Sequence, residues 1–465
     1  MPLPLLPLLF TTLGCQRGHT DSDTVSESAE TGTDSVDDTS TEPVGVPLAP
    51  MDGMNVIVIV ADTLREDHLP QYGYSRDTTP KLNAYPWHVV SGIRPTGPWT
   101  LPSTASLMTG LSPQHHHQLT YNEDHTTNAP LNGETFAQRL GGLGWDTAIF
   151  SGNGVVSPYT GLEVGFDTAE FMFKGDPGGG PNGGGTMETL GDSALAWIDQ
   201  RTSTTPFMIH LQVMNMHQTL VVSVEDLRVF RDERVSFPSD ALGGYSFSQY
   251  SDAYRLAADD AAREEMRLGL VDVYDGALIS IDREAAQFLD ALQARGLLDH
   301  TVIVFTSDHG ETLDEEGTGT WGHGNSLREE LTRVPLMILQ PGGEARTTEC
   351  VGSNTDIWTT LWPALGLPPL EGLDGIDLTT GCRAEADANR FDLTGMTDAS
   401  AGNEQGKLAV HCLSGAVTGT NVGEGANVYE DTPGAEVNDQ AALRTGLSSY
   451  VEDIAANIDG VDCAF

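Results

Sequence analysis

Apolar runs in this chain are short, β-branched and stop at charge. Asn55-Val-Ile-Val-Ile-Val-Ala61 leads straight into Asp62, and Thr301-Val-Ile-Val-Phe-Thr306 leads into Ser307-Asp308-His309-Gly310. A run of that length without polar alternation predicts a strand buried on both faces of a parallel sheet. Phe207 to Val213, ahead of His217, repeats the arrangement, and Asp146 to Phe150 gives a further strand. Between them apolar positions recur at helical spacing: over Glu134 to Leu143, in a long stretch from about Ala258 to Arg295, and from Asp356 to Leu365. Strands alternating with helices predict a doubly wound α/β fold, a central mostly parallel sheet flanked by helices. Ligands bind such sheets beyond the strand carboxyl ends, where Asp62 and Asp308 are expected. After Pro335 the alternation breaks, with a turn at Pro341-Gly342-Gly343, so a smaller subdomain is expected there. Residues 381–465 are assigned to it as a C-terminal unit. The Gly-rich stretch Gly175 to Gly185 lacks the Lys-Ser/Thr ending of a phosphate cradle and predicts a surface loop.

Composition adds location. The 465 residues are 39% hydrophobic, enough for a large core. Acidic residues outnumber basic ones 67 to 23, for a net charge of -44, which excludes nucleic acid as an expected partner. Lysine occurs only at Lys81, Lys174 and Lys407; the Arg bias and acidity fit a saline habitat and a GC-rich genome equally well. Residues 1–15 are an apolar run closing on Thr12-Leu13-Gly14-Cys15, too short to span a bilayer. They read as a signal peptide resembling a bacterial lipoprotein signal, with Cys15 as a membrane tether; an ordinary cleaved signal is the alternative. Residues 16–50, rich in Ser, Thr, Asp and Glu, predict a disordered linker. Export to the periplasm or cell surface follows, with a catalytic domain over 51–380. An oxidising compartment would pair the remaining cysteines, by proximity Cys350 with Cys382 and Cys412 with Cys463.

An Asp at one strand end usually caps a helix or shapes a turn. Asp62, Asp308, His309 and the His323 of Trp321-Gly-His-Gly324 together make a donor set able to converge on a divalent cation. In Pro98-Trp-Thr-Leu-Pro-Ser-Thr-Ala-Ser-Leu-Met-Thr-Gly110, Pro102 suits the first turn of a helix and Gly110 its end. Thr100 then stands just ahead of the helix, where unpaired N–H groups and the dipole favour an anion. A hydroxyl so placed beside a cation can attack a bound oxyanion ester; the alternative role is a plain helix cap.

Residues 98–110 resemble the signature Cys/Ser-x-Pro-x-Arg-Ala-Ser-Leu-x-Thr-Gly of the sulfatase family in the alkaline phosphatase superfamily. Asp62-Thr-Leu-Arg-Glu-Asp67 with Tyr72-Gly-Tyr74 resembles its first metal motif and Thr306-Ser-Asp-His-Gly-Glu311 its second. Gly322-His-Gly-Asn-Ser-Leu327 and Arg333-Val-Pro335 follow in the family's order. The resemblance covers roughly residues 54–380 and implies a sulfatase-like sandwich. It implies Asp62, Thr100, Asp308 and His309 as metal ligands, with Thr100 also the nucleophile. His217 would contact the ester and protonate the leaving group, His323 would contact the oxyanion, and Asn153 and Arg65 would bind substrate. His115 to His117 are expected to be structural or exposed, with His116 in the family's position. The implied cofactor is Ca, Mg or Mn, with Zn eligible if His323 joins the ligands.

Two departures bear on the reaction. Sulfatases convert the signature Cys or Ser to formylglycine, which a Thr cannot become, so no formylglycine is expected. Thr104 also stands where the signature has Arg, removing a guanidinium from the site. Nucleophilic Thr occurs in phosphoryl-group transferases of the superfamily, so phosphorus is as eligible a target as sulfur. The expected activity is metal-dependent hydrolysis of sulfate or phosphate/phosphonate esters of a small molecule, glycan or lipid. A catalytically inactive binding protein and a phosphoglycerol-type transferase are the alternatives.

Overall fold

The β-branched run Asn55–Ala61 forms β1, with all but its first residue buried. It belongs to a computed structural model that describes residues 45–120, 130–173, 185–220, 222–230 and 247–392, then strands 395–402, 406–411, 416–422 and 429–433 and residue 452. The leader, Cys15, the linker up to residue 44, the Gly-rich stretch up to residue 184 and the Cys412–Cys463 pairing lie outside the described residues.

Nine more strands follow: β2 (His88–Arg94), β3 (Asp146–Ser151), β4 (Thr168–Phe171), β5 (Phe207–Val213), β6 (Thr301–Thr306), β7 (Thr312–Leu313), β8 (Trp321–Gly322), β9 (Leu336–Leu339) and β10 (Arg346–Ser353). Eight of the ten form one sheet in the order β10-β2-β9-β6-β1-β5-β3-β4, and β7 and β8 form a separate hairpin. Within the large sheet only β9 runs antiparallel to its neighbours. The expected α/β fold with a mostly parallel sheet is therefore the one observed.

Alternate residues of β1 enter different cores, as a strand buried on both faces requires. Ile57, Ile59 and Ala61 pack with Tyr274, Ile281 and Phe288 of the 35-residue helix Asp260–Ala294. Val56, Val58 and Val60 pack on the other face with Phe136, Ile357, Trp358 and Leu361. Register then fixes the site: Ala61 pairs with Val213 and Val60 with Thr306, so β1, β5 and β6 end side by side.

Two boundaries differ from expectation. Val46, assigned to the linker, is buried against the domain, and its N–H donates to the Leu378 carbonyl at 2.7 Å. Val46 and Leu48 supply apolar surface the rest of that segment lacks, so the domain begins by residue 45. Nor does the chain leave the main sheet at Pro335, because β9 and β10 both return to it and helix Asp356–Ala364 packs on its face. Beyond residue 385 a five-stranded antiparallel sheet arises from β11 (Ala386–Asp392), β12 (Gly395–Gly402), β13 (Gly406–His411), β14 (Ala416–Val422) and β15 (Tyr429–Pro433), paired in chain order.

Cys350 in β10 is bonded to Cys382 across a sequence separation of 32 residues. Closing a loop of that length in the unfolded chain corresponds to about 3–4 kcal/mol on the chain-entropy account. Reduction is expected to lower the urea midpoint accordingly, which comparing unfolding curves with and without dithiothreitol will show.

Candidate active site

Asp62, Asp308 and His309 are fully buried and each offers a donor atom within 4.8 Å of the others. His309 Nε2 stands 3.6 Å from Asp62 Oδ1 and 3.7 Å from Asp308 Oδ2. The carbonyl of Gly310 accepts from His309 Nδ1 at 2.9 Å, which fixes the tautomer and leaves the Nε2 lone pair facing the carboxylates. Burial and the Glu330 backbone account for the glycine at 310. A Cβ there would lie 1.8 Å from the Glu330 carbonyl oxygen. Gly310→Ala is therefore expected to cost about 1–3 kcal/mol and to displace His309, seen as a lower urea midpoint with weaker cation binding.

Thr100 is the first residue of α1 (Thr100–Thr109), one position inside the helix that the sequence placed after it. Gly110 ends α1 at φ 72°, a left-handed conformation that suits glycine. Thr100 Oγ1 is 3.4 Å from His309 Nε2 and accepts from Asn153 Nδ2 at 3.3 Å. Asn153 Nδ2 donates at 2.5 Å to Asp62 Oδ2 as well. Ser103, one turn along α1, donates to the carbonyl of Asp308 and so ties the helix to the second metal motif.

His323 and His217 extend the cluster. The His323 ring centroid is 4.6 Å from that of His309 and 5.1 Å from that of His217. Glu311 Oε1 is 3.0 Å from His323 Nδ1. Burial disfavours charge on His323, but Glu311, with Asp62 and Asp308 behind it, raises the pKa to about 9. Burial and the neighbouring His323 push His309 the other way, to about 3. The carboxylates diverge too. Burial opposes ionisation of Asp62, yet His217, His309, His323 and the Asn153 amide hold it below the usual range. Asp308 is driven well above that range by burial and by Asp62 beside it.

Arg65, expected from the resemblance to bind substrate, is buried and engages four acceptors of the protein. Nε and Nη2 donate to Asp67, and Nη1 donates to the Glu311 carbonyl and to Glu315. Four acceptors around one fork make it a brace beneath the loop carrying Glu311. His116 is buried, with Nε2 3.0 Å from Ser106 Oγ and 3.1 Å from the Pro102 carbonyl; His115 pairs with Asp374 and His117 is exposed. That trio is structural or exposed, as the sequence led one to expect.

Three residues escaped the sequence reading. Thr63 has φ 62°, a left-handed conformation costing a β-branched residue about 1–3 kcal/mol. Its hydroxyl donates to the Met216 carbonyl at 2.8 Å and its own carbonyl accepts from Tyr274 at 2.7 Å, anchors that hold the turn aiming Asp62. Glu311 is the last residue of the second motif, where it was matched without being given a role. Gln212 contacts both carboxylates; its signal was present in Phe207–Val213, where His210 and Gln212 are polar two residues apart in an otherwise apolar strand.

The family model described as Sulfatase matches residues 54–367 of the chain. Among curated proteins it is 27% identical over 330 residues to the low-salt glycan biosynthesis sulfotransferase of Haloferax volcanii, covering 70% of this chain and 64% of that one. It is 34% identical over 204 residues to arylsulfatase K of Bos taurus, covering 40% of this chain and 37% of that one. The matched stretch thus spans less than two thirds of either relative. A solved structure of a protein in complex with its substrate D-glucosamine-2-N,6-O-disulfate matches with a TM-score of 0.66 at 16% identity, covering 87% of this chain and 99% of that one. The phosphonate monoester hydrolase of Agrobacterium radiobacter matches at 0.63 and 20% identity, covering 87% and 96%. At those identities the likeness is one of fold.

Proposed function

The chain belongs to the sulfatase family, and from that membership we propose that it hydrolyses sulfate, phosphate or phosphonate esters with Thr100 as nucleophile and a divalent cation held by Asp62, Asp308 and His309. The observation that carries this is the position of the Thr100 hydroxyl, on the first turn of α1 and 3.4 Å from His309 Nε2. The donor set fits a cation on the residues' own evidence. Asp62 Oδ1 is buried with no hydrogen-bond partner among the described residues, and Asp308 beside it is pushed toward protonation where a cation would hold it ionised. When bound, the cation would acidify the hydroxyl and offset the charge of the ester. Two carboxylates and a hydroxyl suit Ca, Mg or Mn, and the imidazole keeps Zn eligible.

The chain's own residues would divide the work as follows. The N–H groups of the first turn of α1 receive the ester's oxyanion. Asn153 donates to Thr100 Oγ1 and steadies the oxygen as its proton passes to solvent water. Oγ1 bonds to sulfur or phosphorus, the bond to the leaving oxygen breaks, and that oxygen takes a proton from His217 or His323. Glu311 keeps His323 supplied with its proton, and His217 donates Nδ1–H to the Gln218 carbonyl, leaving Nε2 for exchange. Water then attacks the sulfur or phosphorus on Thr100, releasing the inorganic anion and restoring the hydroxyl.

Passage of that group to an acceptor hydroxyl instead of water is a second reading, favoured by the similarity to a named sulfotransferase. Names of relatives that mention a glycan and a disulfated glucosamine support a sugar ester as substrate. The leader and Cys15 extend the proposal to an exported enzyme tethered at a membrane. The test is a screen of aryl sulfate, phosphate monoester, phosphate diester and phosphonate substrates with Ca, Mg, Mn and Zn. Turnover with at least one pairing is expected; tight cation binding with no turnover in any would leave an inactive binding protein instead.

A further inference from the structure

Gln212 is fully buried on β5, and its Nε2 lies 3.3 Å from Asp62 Oδ2 and 3.3 Å from Asp308 Oδ2. A carboxylate that holds a cation is ionised and only accepts, so in the cation-bound site the end of the amide facing them is the NH2 group. Its oxygen then faces back along the strand, where His210 Nε2 is 3.2 Å away and must be the donor. His210 can fill that role in its neutral form, since burial lowers its pKa to about 4. Residues two apart on a strand share a face, so His210 and Gln212 form a line of two polar side chains ending on the cluster. On α1, Thr104 stands where the family signature has Arg, and its buried Oγ1 has no hydrogen-bond partner among the described residues. The site therefore has two adjacent buried carboxylates and no arginine at that signature position.

We propose that Gln212, oriented by His210, is a positioning residue for the cation site: its amide bridges Asp62 and Asp308 through the Oδ2 of each and fixes the orientation of both carboxylates, while Asp308 Oδ1 accepts from the His309 N–H at 3.1 Å. The two N–H groups of one NH2 suit this because they diverge, one to each carboxylate. Asn153 assists at Asp62 Oδ2 only, so Gln212 is the group that links the two ligands. Fixing both carboxylates before an ion arrives raises affinity by removing the cost of ordering them.

This inference rests on the cation reading above, and titration calorimetry of Ca and Mn into the purified full-length protein separates the two. Gln212→Met keeps length and volume but has no donor. It is expected to weaken cation binding about 10–100-fold while the melting temperature without cation stays near that of the wild type. His210→Phe, which leaves the amide in place without its anchor, should weaken binding in the same direction by a smaller factor and serves if Gln212→Met does not fold. Wild-type affinity in either folded variant overturns the role of Gln212 and leaves the cation site standing. A wild-type protein that binds neither ion overturns the cation site, and this role with it.

Discussion

Replacing Thr100 with Ala is expected to lower turnover of a responsive ester on the order of 10,000-fold or more, the scale reached when a covalent nucleophile is removed and only binding and charge stabilisation remain. The substitution deletes one oxygen and one methyl group from the first residue of α1. Alanine is the best helix former, and α1 has no side-chain cap to lose, so stability should change by less than about 1 kcal/mol. Loss of rate with an unchanged urea midpoint separates a nucleophile from a cap, because removing a cap would cost stability first. Rapid-quench mass spectrometry adds a direct view: the peptide containing Thr100 should carry the sulfo or phospho group in the wild type. Turnover by Thr100→Ala at the wild-type rate would eliminate the proposed covalent step.

The difference between what the sequence disclosed and what it hid follows from how each group is held. Asp62, Asp308 and His309 were legible because each closes an apolar β-branched run, and a parallel sheet delivers adjacent strand ends to one place. The three come together through the register of β1 with β5 and β6. Asn153 and the role of His217 were visible only through family resemblance, since loops position them and no periodicity marks a loop residue. For Arg65 the motif disclosed the position but not the partners, Asp67, Glu315 and the Glu311 carbonyl. Gln212 was missed for the opposite reason: the motifs do not include it, although a polar pair inside a buried strand must find partners. The domain start was misplaced because the acidic composition of residues 16–44 masked the two apolar side chains, Val46 and Leu48, that dock the segment.

Asp308→Asn is expected to act with opposite sign in the presence and absence of cation. Without an ion, Asp62 and Asp308 are buried side by side, and like charges in that setting destabilise the folded state. Asn keeps the shape and removes the buried acid whose ionisation burial and Asp62 oppose at a cost to the folded state, so the cation-free variant should melt above the cation-free wild type. With an ion the balance reverses, since a ligand at 100 times its dissociation constant adds about 2.7 kcal/mol to the folded state. The wild type should gain that increment and the variant should lose most of it, because the carboxylate it lacks is itself a proposed ligand. Its affinity should fall by more than the about 10–100-fold typical of losing an outer-shell partner. Thermal melts of both proteins in chelator and in saturating Ca or Mn give four temperatures whose order is the test. If the cation raises both proteins equally, Asp308 holds no ion; if the cation-free variant melts below the cation-free wild type, the two carboxylates are not in conflict and the charge balance drawn here for the site is wrong.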